Sequence, residues 1–388
     1  VSLQHVNALF LIILIFLLSN IVYAQDDVQR EHLIWSPDGS QIATAIQGEV
    51  VIWDVATQTI QHRIQTLRSD EIIQMAWSND NRLALGFRER EVGIWDTSTG
   101  QLITYLELEQ GSQNSRIHFD VMSHIVWSPN DTYLATAAYM DGYLIWNGQD
   151  YTLHNELINN SGQSMVFDSE TRLIGALMSN VRTYNIDITR DEIEMAEIIF
   201  ENPYATHPDR LRGTGALGLL KYDVTQEKLI AATFAGDIFV WDMQEAELIN
   251  TFTVEEGFSS GENRVVIIDN LISFVERDGG IYRYNVIDGS LVDSITSDNP
   301  PRASGWSPLG GRIAYLTSGT SEDEIQLEID VVFSQVEDIQ RLLSVCEVED
   351  EIESGIGIDE LLEQLPIDAH VTCTDEITAL VNAYNGSS

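Results

Sequence analysis

One repeated pattern constrains this chain more than any other feature. Within residues 32–106 it appears twice, as HLIWSPDGSQIATAIQGEVVIWDVATQTI and as IIQMAWSNDNRLALGFREREVGIWDTSTGQLITYL. Each copy opens with an apolar strand ending in Trp-Ser. A polar turn, a second apolar strand, a short loop and a third strand ending in Ile-Trp-Asp follow, and a short fourth strand closes the unit. Trp35 recurs as Trp77 and Trp53 as Trp95, both at an offset of 42. Alternation of apolar and polar positions predicts strands. Repetition at that period predicts one small sheet per unit, each burying its apolar faces against its neighbours.

Further units follow with decreasing fidelity. The third, HIVWSPNDTYLATAAYMDGYLIWNG, keeps Trp127 and Trp146 but has Asn147 for the aspartate. In the fourth, Phe167 and Tyr184 take the two aromatic slots, and part of 190–200 reads equally as a helix or as the fourth strand. The fifth carries Tyr222 and Trp241-Asp242, the sixth Tyr284-Asn285, and the seventh opens at Trp306-Ser307-Pro308. Its third strand is expected within 325–333. An open blade would leave unpaired edges, and 25–30 is too short and too charged to add one, so closure is expected from 325–333. The count is seven, with six and eight as alternatives.

The Trp53-Asp54, Trp95-Asp96 and Trp241-Asp242 pairs, with the turns Ser36-Pro37-Asp38-Gly39 and Ser128-Pro129-Asn130-Asp131, resemble the WD40 family of β-propellers over residues 30–320. The usual Gly-His pair before each inner strand is missing throughout. The resemblance implies an all-β, seven-bladed WD40-like propeller over 25–334 and says almost nothing about activity. In such radial sheets Trp35, Trp53, Trp77, Trp95, Trp127, Trp146, Trp241 and Trp306 would fill the space between blades. Each would contribute about 1.5–3 kcal/mol of hydrophobic transfer. Asp54, Asp96 and Asp242 would accept hydrogen bonds from the backbone of the following turn.

Residues 1–24 read as something else. The apolar run 8–18 and Val22-Tyr23-Ala24 before Gln25 have the form of a secretory signal peptide, although no Lys or Arg precedes the run. An uncleaved anchor is the alternative, but the run is short for a span. Export to a secreted or periplasmic location is therefore expected, with no membrane span after cleavage. Cys346 and Cys373, the only two cysteines, both follow the repeats. In an exported chain they are expected to form a disulfide, closing a loop of about 27 residues and contributing about 3–4 kcal/mol. The segment 335–388 is read as a small acidic, mainly helical extension. Its helical candidates are 336–345, 359–365 and 374–385, the last capped by Thr374 or Asp375.

No HExxH, GxSxG or phosphate-cradling loop with a lysine is present, and nothing calls for a cofactor or a metal. His118, Asp120 and His124 form the one dense histidine group, more simply explained by strand alternation. Acidic pairs such as Asp323–Glu324 carry no calcium-loop pattern. The basic residues are more telling. In a WD-like blade, loops entering the first strand and loops between the second and third share one face. Arg30, Arg68, Arg116, Arg210, Arg212, Arg264 and Arg302 fall at entrances, and Arg88, Arg90, Arg182 and Arg277 in or beside the other loops. This face would either bind an anionic group or an acidic protein segment, the chain's own tail among the candidates, or brace the blades by pairing with loop acids. The leading functional expectation is a noncatalytic exported scaffold with a protein partner, in an oligomeric state left open. The alternative is a hydrolase or lyase at the channel mouth. A formal net charge of −41 argues against nucleic acid as partner. Self-repulsion at that charge predicts that the melting temperature rises as salt is titrated from about 10 mM to 1 M, as the Debye length shrinks from about 30 Å to 3 Å; a thermal melt series checks it.

Overall fold

In the computed structural model, the residues described are 32–46, 48–66, 72–88, 91–107, 122–138, 142–157, 164–177, 180–186, 197–201, 215–224, 226–254, 264–268, 270–276, 280–296, 301–318, 325–331, 346 and 371–387. Blade 1 is β1 (His32–Trp35), β2 (Gln41–Ile46), β3 (Glu49–Asp54) and β4 (Thr59–Gln65). Blade 2 is β5 (Ile72–Trp77), β6 (Arg82–Phe87), β7 (Val92–Asp96) and β8 (Gln101–Tyr105). Blade 3 is β9 (Met122–Trp127), β10 (Tyr133–Ala138), β11 (Gly142–Asn147) and β12 (Leu153–Leu157). Blade 4 is β13 (Ser164–Ser169), β14 (Arg172–Ala176), β15 (Asn180–Asn185) and β16 (Glu197–Glu201). Blade 5 is β17 (Leu217–Asp223), β18 (Lys228–Thr233), β19 (Asp237–Asp242) and β20 (Glu247–Thr253). Blade 6 is β21 (Val265–Ile268), β22 (Leu271–Val275), β23 (Ile281–Asn285) and β24 (Leu291–Ile295). Blade 7 has three described strands, β25 (Ala303–Trp306), β26 (Arg312–Ser318) and β27 (Ile325–Val331). Helix α1 (Val371–Ser387) follows.

Every sheet is an antiparallel meander, and the first strands touch in the order β1, β5, β9, β13, β17, β21, β25 and back to β1. The chain is thus a seven-bladed β-propeller whose ring closes between blades 7 and 1. β27 lies within the expected 325–333 and pairs with β26 from Arg312↔Val331 to Ser318↔Ile325. The open choice at 190–200 resolves as the strand β16, with 187–196 outside the described residues. Helix α1 starts at Val371, so Thr374 and Asp375 lie inside it and do not cap it. The signal-peptide segment and the helical candidates at 336–345 and 359–365 lie outside the described residues.

The two aromatic slots explain how blades stack. Trp35 and Trp53 pack with Ala303, Leu316 and Leu327 of blade 7. Trp77 and Trp95 pack with Ile34, Ile52 and Ile64 of blade 1, and Trp127 and Trp146 with Ala84 and Ile94 of blade 2. Phe167 and Tyr184 face blade 3, Trp241 faces Ile174 and Val181 of blade 4, and Trp306 faces Val275 and Ile281 of blade 6. Wherever a blade carries these rings they enter the blade before it: two from each of blades 1 to 4, and Trp306 alone from blade 7. Five indoles also find acceptors, whereas that of Trp77 is buried without one among the described residues. Trp53 Nε1 donates to Thr44 Oγ1 at 2.9 Å and Trp146 Nε1 to Thr136 Oγ1 at 3.1 Å. Across interfaces, Trp127 Nε1 donates to the Ala76 carbonyl, Trp306 Nε1 to that of Arg264, and Trp35 Nε1 to that of Gly305.

The expected role of the residue after the third-strand aromatic is seen in full. Asp54 Oδ1 accepts from the Thr57 amide at 2.8 Å, Asp96 from Ser98 and Thr99, and Asp242 from Gln244 and Glu245. Asn147 and Asn285 do the same for Gln149 and Ile287. The Thr57 hydroxyl and amide hold the Asp54 carboxyl below the ordinary carboxylate range, and the Ser98 hydroxyl and amide do so for Asp96. A feature invisible in the sequence is a bulge between third and fourth strands, at the aromatic or one step before it, in blades 1, 2, 3, 5 and 6. It bends the outer strand, along which Leu102, Ile103, Leu248, Ile249, Leu291 and Val292 are all exposed.

Closure between blades 7 and 1 depends on a close approach. A Cβ on Gly305 would lie 2.8 Å from Leu33 Cδ2 and 2.9 Å from the Leu33 carbonyl oxygen. Backbone cannot yield as a side chain tip can, so Gly305→Ala is expected to lower stability by about 1–3 kcal/mol. Denaturant unfolding followed by tryptophan fluorescence measures it.

Candidate functional site

The meander puts two kinds of connection on opposite faces. Turns joining first to second strands and third to fourth strands lie at one end, here the turn face. Entrances to first strands and the loops between second and third strands lie at the other, the entrance face. By strand bounds, the longest intervals between a fourth strand and the next first strand are 106–121, 202–216 and 254–264, and the longest between a third and a fourth strand is 186–196.

The arginines assigned to the entrance face by sequence are partly visible. Arg88 directly follows β6, Arg264 directly precedes β21 and Arg302 directly precedes β25, all at that end of the ring. None of the three is without an interaction partner. The Arg264 carbonyl receives the Trp306 indole, and the Arg302 amide donates to the Leu316 carbonyl. Arg182, in β15, donates from Nε to Asn180 Oδ1 at 3.1 Å. Arg30, Arg68, Arg90, Arg116, Arg210, Arg212 and Arg277 lie outside the described residues. So do His118 and Asp120. His124 is buried in β9, and its Nδ1 accepts the Met165 amide of blade 4 at 2.8 Å. That bond uses the Nδ1 lone pair, which places the ring proton on Nε2. With Leu220 N–H donating to Ser164 Oγ at 3.0 Å and Gln74 Nε2 to the Ser123 carbonyl at 2.9 Å, it belongs to a set of bonds between inner strands.

The turn face holds the charged architecture that sequence reasoning missed. The serine after the first-strand tryptophan donates to a carboxylate: Ser36 to Asp38 at 2.6 Å, Ser78 to Asp80 at 2.7 Å, Ser128 to Glu170 at 2.6 Å. Glu170 comes from blade 4 and also accepts the Asn130 amide of blade 3 at 2.7 Å. Asp131 of blade 3 reaches back to blade 2 and accepts the Asn79 amide at 2.9 Å and the Asp80 amide at 3.2 Å. Burial pushes the Asp131 carboxyl above its ordinary value, against the pull of Asn79. Burial acts in the same sense on Asp80, but hydrogen bonds from Arg82 and Ser78 outweigh it and hold that carboxyl low.

A basic residue begins the second strand in four blades: Arg82, Arg172, Lys228 and Arg312. Arg82 lies 4.6 Å from the Trp127 ring centroid of the next blade, pairs with Asp80 at 2.5 Å, and donates to the Gly148 carbonyl and Tyr151 hydroxyl. Lys228 reaches Asn270 of blade 6, and Arg172 pairs with Asp168 of its own blade. Arg312 of blade 7 lies 5.0 Å from the Trp35 ring centroid of blade 1, repeating the Arg82–Trp127 arrangement across the closure. Its partner is Glu376 of α1, with Nε to Oε2 at 2.6 Å. The glutamate side chain is wholly buried. Burial pushes the Glu376 carboxyl above its ordinary value, opposed by Arg312 and the Ser307 hydroxyl.

The signal for these groups was present. Arg82 and Arg312 stand five and six residues after Trp77 and Trp306, the backbone N–H of Ser78 and Ser307 donating to their carbonyls. Aligning the turns, rather than sorting arginines by loop, would have found them. Cys346 and Cys373 are bonded, with Cα atoms 6.0 Å apart. Among the described residues, no three His, Cys, Asp or Glu side chains group to hold a metal, and no helix is long and apolar enough to cross a membrane.

Neither protein-family models nor curated proteins match this chain.

The bracing role of Asp131 is testable. Asp131 has φ of 59°, a left-handed conformation that Asn tolerates and Ala does not. Asp131→Ala is expected to cost about 1–3 kcal/mol by leaving the blade 2 amides unpaired, and Asp131→Asn less, as read by denaturant midpoints.

Proposed function

We propose that this chain is a divergent WD40-type propeller that is exported and acts as a noncatalytic scaffold, binding an acidic protein segment or other anionic ligand through its entrance face. The observation that carries the reading is the division of labour between faces. On the turn face, Glu170, Asp131, Arg82 and Lys228 bond one blade to the next. The longest connections join fourth strands to first strands, whose ends meet at the opposite end of the ring, and such connections commonly carry binding residues. The arginines around its entrances suit bidentate pairing with carboxylates.

Export is supported by the bonded Cys346–Cys373 pair, because disulfides persist mainly in oxidising compartments, and by the form of residues 1–24.

The test replaces Arg88, Arg264 and Arg302 together with Ser and compares binding of a labelled poly-glutamate peptide by the native and substituted chains. The expected result is at least a tenfold loss of affinity with the melting temperature little changed. Unchanged binding with a lowered melting temperature would show that these arginines only brace the ring, and the proposal would fail.

A further inference from the structure

Blade 7 departs from blades 1, 2 and 3 at one position. In blades 1 and 2 the third residue after the inner-strand tryptophan is an aspartate, Asp38 or Asp80, and it receives the serine hydroxyl. In blade 3 the carboxylate is borrowed from the neighbouring blade, as Glu170. In blade 7 that position is Leu309, and the turn 306–312 contains no acid at all. Ser307 and Arg312 therefore form a receptor for a carboxylate that the propeller does not supply. Its floor is the Trp35 ring under the Arg312 guanidinium.

The carboxylate comes from α1. Glu376 fills the receptor, and Leu380, one helical turn later, fills the space beside it. A Cβ on Gly311 would lie 2.5 Å from Leu380 Cδ1 and 3.3 Å from Glu376 Oε2, so the absence of a side chain there creates the notch that the leucine occupies. Ile377, Leu380 and Val381 are buried on the same helix face. The contact has the form of helix-in-groove recognition, read from residues four apart. It involves one charge-assisted bond and one apolar anchor. The helix is tied down three residues before Glu376, by the bond from Cys373 to Cys346.

We infer that blade 7 carries a peptide-binding seat for an acidic helix with Glu and Leu four residues apart, that α1 is its resident ligand, and that the Cys346–Cys373 bond holds that ligand in place. The seat lies on the turn face and is independent of the entrance-face reading. With the bond intact, the short tether keeps the effective concentration of α1 at the seat high and excludes competitors. A dithiol reductant opens it: two electrons and two protons convert the disulfide to the thiols of Cys346 and Cys373, and the reductant is oxidised to its own disulfide. The tether then lengthens, and an acidic helix in trans can take the place of α1.

The experiment uses the full chain and a labelled peptide of residues 371–387 carrying Cys373→Ser, with binding followed by fluorescence anisotropy. The oxidised chain is expected to bind at least tenfold more weakly than the chain reduced with dithiothreitol. A full chain carrying Glu376→Gln and Leu380→Ala, whose own helix fits the seat poorly, is expected to bind the peptide even when oxidised. A peptide carrying Glu376→Gln is expected to bind either opened form at least tenfold more weakly. If the double variant does not fold, the reduced native chain carries the same comparison. Equal binding of the Glu376→Gln peptide, or no binding by any opened form that retains its β-sheet circular dichroism, overturns the inference.

Discussion

The ring depends on flat side chains driven between successive sheets. Each blade has two faces and too few residues to cover either, so it is stable only when its neighbours cover it. The rings of Trp35 and Trp53, Trp77 and Trp95, and their counterparts around the circle enter the preceding blade at equivalent places. Because the direction of insertion is the same at every step, the last blade must receive the rings of the first. Blade 7 does so: Ala303, Leu316 and Leu327 take Trp35 and Trp53, and the Gly305 carbonyl takes the Trp35 indole. Closure follows from this interlocking and from a glycine that lets β1 approach β25.

Where the apolar wedge ends, at the rim of the turn face, charge takes over. The serine hydroxyls, their carboxylates and the guanidiniums over the next blade's tryptophan form a second, polar layer of contacts between blades. A carboxylate that is half-buried and accepts several N–H bonds is orienting as well as stabilising: Glu170 and Asp131 each hold two turns at a fixed spacing. At the closure the same layer is completed from outside the repeats. Arg312 stacks on Trp35 as Arg82 stacks on Trp127, but its counter-ion is Glu376 of the C-terminal helix. The helix thus contributes a part that the seventh repeat lacks.

The repeats, their strand boundaries and the wedge positions could be read from residue patterns because they depend on local alternation and on side-chain size. β1 ends at Trp35 and β3 at Trp53-Asp54, where the repeated pattern ends its first and third strands. The capping role of Asp54, Asp96 and Asp242 was also legible, since its donors lie two or three residues away. The degraded units were harder: at 190–200 helix and strand patterns coexist, and pairing with β15 decides for the strand. The outer-strand bulges carry no residue signature, and the apolar Ile103, Ile249 and Val292 gave no sign that the outer strand would face solvent.

The charged groups mark the boundary most clearly. The sequence determined a ring of radial β-sheets, the aromatic residues between them and a disulfide-prone acidic tail, because short-range periodicity and composition suffice for each; that the ring closes at seven, rather than six or eight, came from the structure. Which arginines matter, and to what they bind, was decided only by the tertiary structure. Arg312 and Glu376 are 64 residues apart and meet because the helix after blade 7 packs back on that blade, and Trp35 reaches the same guanidinium from the start of the repeats because the ring closes. Salt bridges and stacked cations form between groups whose separation along the chain carries no information about their distance in space, so only the folded ring could bring that pair, with Trp35 beneath it, together.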